Sequence, residues 1–321
     1  MLIVNPWMKS GRDNWAIDHL FDLAIGRFAP SPTGPMHMGH LVTALSSYCS
    51  VKQKKGKWLL RIDDIDSDRR SAESANLIIK TLRIHGMIPD TEVTYQSAQD
   101  TKYRYRIKQL ESQTFSCSCS RRETSAQGNY HGKCYQNRRH QERHSIRLRS
   151  HKAIIFFKST SNTKLENGFT ESVDDFILRR KNGDLSYHLA SAVDDGEQMT
   201  EVVRGDDLIT STGYQLLLMK KLGLSTPNYR HIPCLRFETG EKLSSQNMAP
   251  ALANQRPVMN LRNALWYLGA IPPTNIHSVS AIIRWSIRNL NLTQLPKILV
   301  PFQNYDVSDR YRRTETIKPS V

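Results

Sequence analysis

The sequence predicts an α/β protein built on a parallel sheet. Two observations support this: short apolar stretches alternate with longer amphipathic ones, and the first apolar stretch ends in a loop crowded with proline and glycine. Strand, helix, strand, helix is the order of parallel strands joined by helical crossovers. The chain has 321 residues and is 39% hydrophobic, which is enough for one large core and a smaller second domain.

The elements of the first half follow from the spacing of the apolar residues. Short apolar runs indicate strands, and apolar residues three and four apart indicate helices. Glycine after such a helix is a stop signal, as at Gly86. The predicted elements are a strand at 23–29, a helix beginning near His40, a strand at 58–62, a helix from about Ser71 to His85 and an amphipathic helix at 99–113.

In the second half, Asn182 and Gly183 lie between two apolar stretches, at 175–180 and 185–190. Because Asn-Gly is the strongest short signal for a hairpin turn, we predict a β-hairpin there. The remaining predicted elements are a strand at 200–204, a helix ending at Gly223, a strand at 230–237 and helices at 260–270 and 279–290.

The charge balance indicates a partner rich in phosphate. The formal net charge is +15 and the isoelectric point is about 9.7. Basic residues recur in patches at 52–57, 138–149, 179–181 and 310–313. A nucleic acid is the simplest explanation, and a solvated basic surface is the alternative.

Nothing in the sequence indicates export or membrane insertion. No apolar run approaches the roughly 20 residues that span a bilayer. The N-terminus carries acidic residues and has no basic start before an apolar stretch, unlike a secretory signal. We therefore expect a cytoplasmic protein.

The cysteines favour a metal site over disulfides. There are five cysteines, an odd number that excludes a complete disulfide framework. Cys117, Cys119 and Cys134 cluster, and in a cytosolic chain such a cluster indicates metal binding. The alternative is three reduced cysteines in a basic insertion.

The loop APSPTGPMHMGHL, at 29–41, has the composition of a nucleotide site. His37 and His40 are three residues apart at a helix start, where free N–H groups and the helix dipole attract phosphate. Their imidazoles can bind phosphate oxygens as charge develops in a transition state. Gly39 has no side chain, so a flat base can approach the backbone. The alternative is a rigid loop with two unrelated surface histidines.

Five motifs then occur in a fixed order: GRFAPSPTGPMHMGHL, LLRIDDIDSDRR, DFILRRKNGDLSYHLASAVDD, VVRGDDLITST and EKLSSQN. Together they resemble the glutamyl group of the class I aminoacyl-tRNA synthetases, over about residues 23 to 300. The resemblance implies a Rossmann-like catalytic domain. In that domain the H-x-G-H element and a later K-x-S-K loop bind ATP, which carries Mg²⁺.

The resemblance also implies the residues of the site. His37, His40 and Lys242 would be catalytic, and Gly39 and Ser245 would join them in binding ATP. Ser245 stands where the group normally has a second lysine, so activation slows unless another basic group supplies the missing charge. The residues implied to bind glutamate are Arg27, Phe28, Ala29, Pro30, Ser31, Asp63, Tyr187 and Arg204.

Two of these residues set the expected selectivity. Fixed guanidiniums at Arg27 and Arg204 favour glutamate over glutamine, because an amide would leave a buried charge unpaired. Asp63 matches the acid that holds the α-ammonium, a position where the group more often has glutamate.

Within the group, the chain most resembles a short subfamily that attaches glutamate to queuosine, the modified wobble base of tRNA-Asp. It ends at 321, where a full glutamyl-tRNA synthetase continues with an anticodon-binding domain. The stretch CSCSRRETSAQGNYHGKC resembles the subfamily's structural zinc site, which implies Cys117, Cys119, Tyr130 and Cys134 as ligands. His131 is the more ordinary alternative to Tyr130.

The expected partners are ATP, L-glutamate and tRNA-Asp carrying queuosine, with no membrane contact, and we expect a monomer. Two alternatives stay open: a truncated enzyme that charges tRNA-Glu, and a zinc-containing RNA-binding paralogue without catalysis.

The expected domains are an N-terminal extension at 1–22, a Rossmann-like catalytic domain in two halves at 23–115 and 151–248, a zinc-binding basic insertion at 116–150, a helical stem-contact region at 249–303 and a flexible tail at 304–321.

Overall fold

The computed structural model describes residues 23–120, 123–124, 134, 144–159, 168–244, 247 and 249–296. Its strands are β1 (Ile25–Phe28), β2 (Lys57–Ile62), β3 (Thr94–Tyr95), β4 (Thr114–Cys117), β5 (Ser145–Leu148), β6 (Ala153–Phe157), β7 (Phe169–Val173), β8 (Phe176–Arg179), β9 (Glu201–Gly205) and β10 (Asn228–Ile232). Its α-helices are α1 (Met38–Gln53), α2 (Ala72–Ile84), α3 (Asp100–Gln109), α4 (Tyr187–Gln198), α5 (Ile209–Leu222), α6 (Pro257–Tyr267) and α7 (Val279–Asn289).

The predicted parallel strands are present. β1 pairs with β2, and β2 pairs with β3, in parallel. β9 and β10 form a second parallel pair, which adjoins the first where the Thr200 N–H donates to the Ile25 carbonyl at 2.9 Å. The carboxyl ends of β1, β2, β9 and β10 therefore face the same edge, where open α/β sheets bind ligands.

Antiparallel strands form the remaining sheets. β4, β5 and β8 lie in that order, with Cys117 of β4 opposite Ser145 of β5. β6 and β7 form a separate antiparallel pair. The strands that flank 118–144 are thus joined to each other, although the intervening sequence carries no strand pattern.

The helices pack against the parallel strands and bury their own apolar faces there. Leu41, Ala44 and Leu45 of α1 are all fully buried, and they share one large core with α2, α6 and α7. The predicted stops are confirmed, since Gly86 and Gly223 follow α2 and α5 with φ of +75° and +65°. That left-handed conformation costs glycine little.

The predicted hairpin around Asn182-Gly183 is wrong in its second half. β8 forms the first strand, and Arg179 makes a single bridge to Leu185. At Ser186 the chain turns into α4, because the Ser186 hydroxyl accepts a hydrogen bond from the Leu189 N–H at 3.3 Å. Serine at an N-cap satisfies a free donor of the first turn of the helix. The Asn-Gly turn itself forms, with the Gly183 N–H donating to the Arg180 carbonyl at 3.1 Å, but the second strand stops at the Leu185 bridge.

Among the described residues, no helix combines the length and apolarity needed to cross a bilayer.

Candidate active site

A cavity of about 680 Å³ opens at the carboxyl ends of the parallel strands. It brings together every described residue implied to bind glutamate or ATP, although these come from distant parts of the chain. Ser245 lies outside the described residues, so its role stays a prediction. The predicted residues that line the cavity are Arg27, Phe28, Ala29, Pro30, Ser31, His37, Gly39, His40, Asp63, Tyr187, Arg204 and Lys242.

The two histidines cap α1 reciprocally. His37 is the N-cap, and its Nδ1 accepts a hydrogen bond from the Gly39 N–H at 3.1 Å. The His37 N–H donates in turn to Nδ1 of His40, with 3.4 Å between the nitrogens. The rings stack with centroids 3.8 Å apart. This is a capping box made by imidazoles, so both rings are fixed against the first turn.

That arrangement sets the tautomer and the charge of both rings. Because each Nδ1 accepts, the proton of a neutral ring sits on Nε2. Burial and the charge of Lys242 lower the pKa of His37 to about 4. Burial, His37 and Lys242 lower the pKa of His40 to about 3. Near pH 7 the cavity therefore holds two neutral imidazoles with Nε2–H donors.

Gly39 lies close to the capping ring. A Cβ built there would lie 3.0 Å from Cε1 and 3.1 Å from Nδ1 of His37, so a side chain would press on the ring that caps the helix.

Lys242 lies in the same cavity and pairs with Asp207. Its Nζ is 2.5 Å from Oδ2 of Asp207, and Oδ1 of Asp207 accepts from the Cys234 thiol at 3.0 Å. Burial opposes the charged form of Lys242, but the hydrogen bond and the charge of Asp207 outweigh it and raise the pKa of Lys242. Asp207 could not be identified from the sequence, because nothing in the spacing of the motifs shows which acid pairs with the loop lysine.

Arg204 is buried among neutral partners. Only 3% of it is exposed. Its Nη1 donates to Gln215 at 2.7 Å, its Nη2 donates to Thr212 at 2.5 Å, and the guanidinium lies 4.8 Å from the centroid of the Tyr229 ring. Among the described residues it forms no ion pair. Burying a cation without a counter-charge is costly, so the site favours an anionic ligand.

Arg27 differs, because Asp195 of α4 neutralises it. The Nε and Nη2 atoms of Arg27 donate to the Asp195 carboxylate at 3.0 and 2.9 Å. Asp195 also accepts from Nη1 of Arg61 at 2.7 Å, and the other edge of Arg61 binds Asp63 at 2.6 and 3.2 Å. Neither Arg61 nor Asp195 could be identified from the sequence, because only the tertiary fold brings α4 against β1 and β2.

The three described cysteines of the predicted zinc site also meet. Their thiol sulfurs all lie within 4.8 Å of one another, and Cys119 and Cys134 are 3.3 Å apart. Cys117 is buried at the end of β4 and ties the cluster to the antiparallel sheet. Tyr130 and His131 lie outside the described residues, so the choice between them stays open.

Comparison with known proteins shows which family has a similar sequence. The family model of the class I tRNA synthetases (E and Q), catalytic domain, matches residues 25–256. Glutamyl-Q tRNA(Asp) synthetase of Methylococcus capsulatus is 41% identical over 279 residues, which cover 84% of this chain and 92% of that protein. The protein of the same name from Vibrio vulnificus is 38% identical over 281 residues, covering 86% and 92%.

Solved structures show the same fold. A glutamate tRNA ligase of Elizabethkingia meningosepticum has a TM-score of 0.69 at 24% identity, covering 87% of this chain and 67% of that chain. Glutamate-tRNA synthetase of Elizabethkingia anophelis has a TM-score of 0.71 at 22% identity, covering 92% and 71%. With the family match, these likenesses confirm the predicted Rossmann-like fold of a class I synthetase. The chain belongs to the class I tRNA synthetases for glutamate and glutamine and, within them, to the glutamyl-Q tRNA(Asp) synthetase family.

Proposed function

We propose that this protein activates L-glutamate with ATP and transfers the glutamyl group to queuosine at the wobble position of tRNA-Asp. In the first step an oxygen of the glutamate α-carboxylate attacks the α-phosphorus, and the bond to pyrophosphate breaks. In the second step a hydroxyl of the modified base attacks the carbonyl carbon of glutamyl-adenylate and releases AMP. The membership of the chain in the glutamyl-Q tRNA(Asp) synthetase family supports both steps.

The observation that carries the choice of glutamate is the uncompensated charge of Arg204. Its hydrogen-bonding side chains are neutral, and it lines the cavity almost fully buried. A carboxylate of the substrate would supply the missing counter-charge through charge-assisted hydrogen bonds. Glutamine would leave that charge unpaired, which is the basis for rejecting it.

The histidine pair suits the phosphate chemistry. Two neutral Nε2–H donors at the N-terminus of α1 lie where the helix dipole favours anions. In that position they would stabilise the charge that builds up on the α-phosphate in the transition state. Lys242 would leave Asp207 to meet the departing pyrophosphate. Mg²⁺ arrives with ATP and offsets the charge of the phosphates.

The acceptor would reach the cavity from its open side. Arg70 lines the cavity and is exposed, so it presents positive charge at its mouth, whereas Arg69 beside it is ion-paired with Asp66 at 2.7 Å. On the proposed stem-contact region, α7 buries Ile282 while Arg284 and Arg288 face solvent. Cations along these surfaces would contact the phosphates of the anticodon arm.

Two assays on the same protein test the function. Pyrophosphate exchange into ATP, without RNA, should require glutamate, and labelled glutamate should then pass to tRNA-Asp that carries queuosine. Unmodified tRNA-Asp and tRNA-Glu serve as controls. Transfer to tRNA-Glu instead would favour the truncated-synthetase alternative, and absence of any exchange would favour the RNA-binding one.

We also propose that the cysteine cluster binds one structural zinc ion. Three thiolates plus one further ligand make the tetrahedral set that zinc prefers, and four protein ligands leave no open position for catalysis. The mutual distances of the thiol sulfurs fit such a set. Zinc there would hold the insertion to the end of β4, since a short segment with few apolar residues needs such a constraint.

Purified protein is expected to contain about one zinc per chain, because structural sites bind tightly. Cys119→Ser should lose the metal and lower the thermal stability. Cys234→Ser, which removes a thiol outside the cluster, should retain it. Metal content by mass spectrometry checks both variants, and full zinc occupancy in Cys119→Ser would remove Cys119 from the ligand set.

A further inference from the structure

We propose that Asp195 is the positioning residue of the glutamate site, holding in register the two oppositely charged groups expected to bind the substrate. It acts through Arg27 directly and on Asp63 by way of Arg61. This inference rests on the proposed function and on the roles that the family resemblance implies, a carboxylate contact for Arg27 and an α-ammonium contact for Asp63.

The first link is the orientation of Arg27. Asp195 occupies the side edge of the guanidinium, formed by Nε and Nη2. The end edge, formed by Nη1 and Nη2, keeps donors for another partner, since within the described residues its one further hydrogen bond runs from Nη1 to the Val203 carbonyl at 3.5 Å. Bidentate pairing fixes the plane of a guanidinium, so Asp195 sets the direction in which the Nη1–Nη2 edge of Arg27 points.

The second link runs through Arg61. Its Nη1 donates to Asp195 at 2.7 Å, while its Nε and Nη2 grip the Asp63 carboxylate. Arg61 is thus fixed among three carboxylates: Asp195 on α4, Asp63 at the end of β2, and the neighbouring Asp194 on α4, whose Oδ2 lies 3.5 Å from Nε of Arg61. A shift of Asp195 would move Arg61 and, with it, Asp63.

Asp195 itself is shielded from the cavity. It is fully buried and does not line the cavity, whereas Arg27 and Asp63 do. It lies on α4, the helix that begins with the cavity residue Tyr187. Burial opposes its ionisation, but the charges of Arg27 and Arg61 outweigh it and hold the pKa of Asp195 well below its usual range. Asp195 is therefore a fixed anion that binds two guanidiniums from outside the cavity lining.

The test is Asp195→Asn, assayed by pyrophosphate exchange. The amide oxygen can replace Oδ1, which accepts from both guanidiniums, but the amide NH2 replaces Oδ2 and cannot accept from Nη2 of Arg27, and the negative charge is lost. The bidentate hold on Arg27 is then broken, so the KM for glutamate should rise about tenfold or more, because small misplacements at a reacting site are costly. The KM for ATP should change less than about twofold, since the described groups expected to bind ATP, at the start of α1 and at Lys242, make no hydrogen bond to Asp195 or Arg61. A purely structural role would reduce the active fraction and leave both KM values unchanged, since neither depends on enzyme concentration.

Two further variants keep the test decisive. Asp195→Glu retains the charge, which favours folding, but moves the carboxylate by one methylene, and it should show the same split of KM values. Asp90→Asn is the matched control: Asp90 pairs with Lys52 and binds the Trp58 N–H away from the cavity, so both KM values should stay as in the wild type.

An unchanged KM for glutamate in Asp195→Glu or Asp195→Asn overturns the inference and leaves the proposed function standing. A wild-type protein without glutamate-dependent exchange overturns the proposed function instead.

Discussion

Arg204→Gln is expected to lower kcat/KM for glutamate in pyrophosphate exchange by roughly 30- to 5,000-fold. Truncating one partner of a buried, hydrogen-bonded charge pair costs about 2–5 kcal/mol, and the substrate carboxylate is the partner that Arg204 would lose. Steady-state exchange over a range of glutamate concentrations measures the change. Glutamine should be discriminated against less strongly by the variant, since the unpaired charge that rejects it is gone.

The same substitution should leave the fold nearly as stable as before. Removing a buried cation that has no protein counter-charge relieves its desolvation cost, which offsets the lost hydrogen bonds to Thr212 and Gln215. Arg61→Gln is the contrast, because it leaves Asp63 and Asp195 short of a partner and should destabilise the protein strongly. Denaturant unfolding compares the two. Retained activity in Arg204→Gln would contradict the assignment of Arg204 to the substrate.

His40→Ala is expected to reduce kcat for exchange by about 10²- to 10³-fold, the usual loss when one donor to a developing oxyanion is removed. The KM for ATP should change little if the contact forms mainly in the transition state. The substitution also removes the acceptor for the His37 N–H, which loosens the start of α1. His277→Ala, which removes an exposed histidine outside the cavity, is the control.

The charge state of the histidine pair can be checked separately. In the free enzyme, the imidazole resonances of His37 and His40 should titrate with midpoints near 4 and 3, well below an exposed histidine. Between about pH 6.5 and 4 the unfolded chain then binds protons that the native state refuses, so stability should fall as the pH drops through that window. A titration midpoint near 6.5 for either ring would contradict the neutral-donor role.

The predictions from sequence were most accurate where local spacing decides the structure. The predicted strands and helices occur in the predicted order, and the two glycine stops and the loop at the sheet edge are present, but β3 to β7 were not predicted. The second half of the hairpin was wrong because the Asn-Gly turn forms but the serine cap of α4 determined what followed Leu185. The pairing of β4 with β5 could not be predicted, since the partners lie far apart in the chain.

The candidate site, like the fold, could be predicted from the sequence only in part. Motifs named its lining residues, but Arg27 and Arg204 look equivalent in the sequence. Only the fold shows that Arg27 is neutralised by Asp195, whereas Arg204 has no described carboxylate beside it. The tautomers of the histidines likewise depend on the hydrogen bonds to Nδ1, which the spacing of H-x-G-H does not reveal. Which side chains pair with each other depends on the tertiary fold, so these pairs cannot be identified directly from a single sequence.

The most direct measurement is a crystal structure of the protein with a non-hydrolysable glutamyl-adenylate analogue. A substrate carboxylate should lie within hydrogen-bonding distance of the Arg204 guanidinium, with the phosphate mimic at the Nε2 atoms of His37 and His40. An analogue bound elsewhere, or a complex in which Arg204 keeps only its contacts to Thr212 and Gln215, would contradict the claim that an unpaired buried cation selects glutamate.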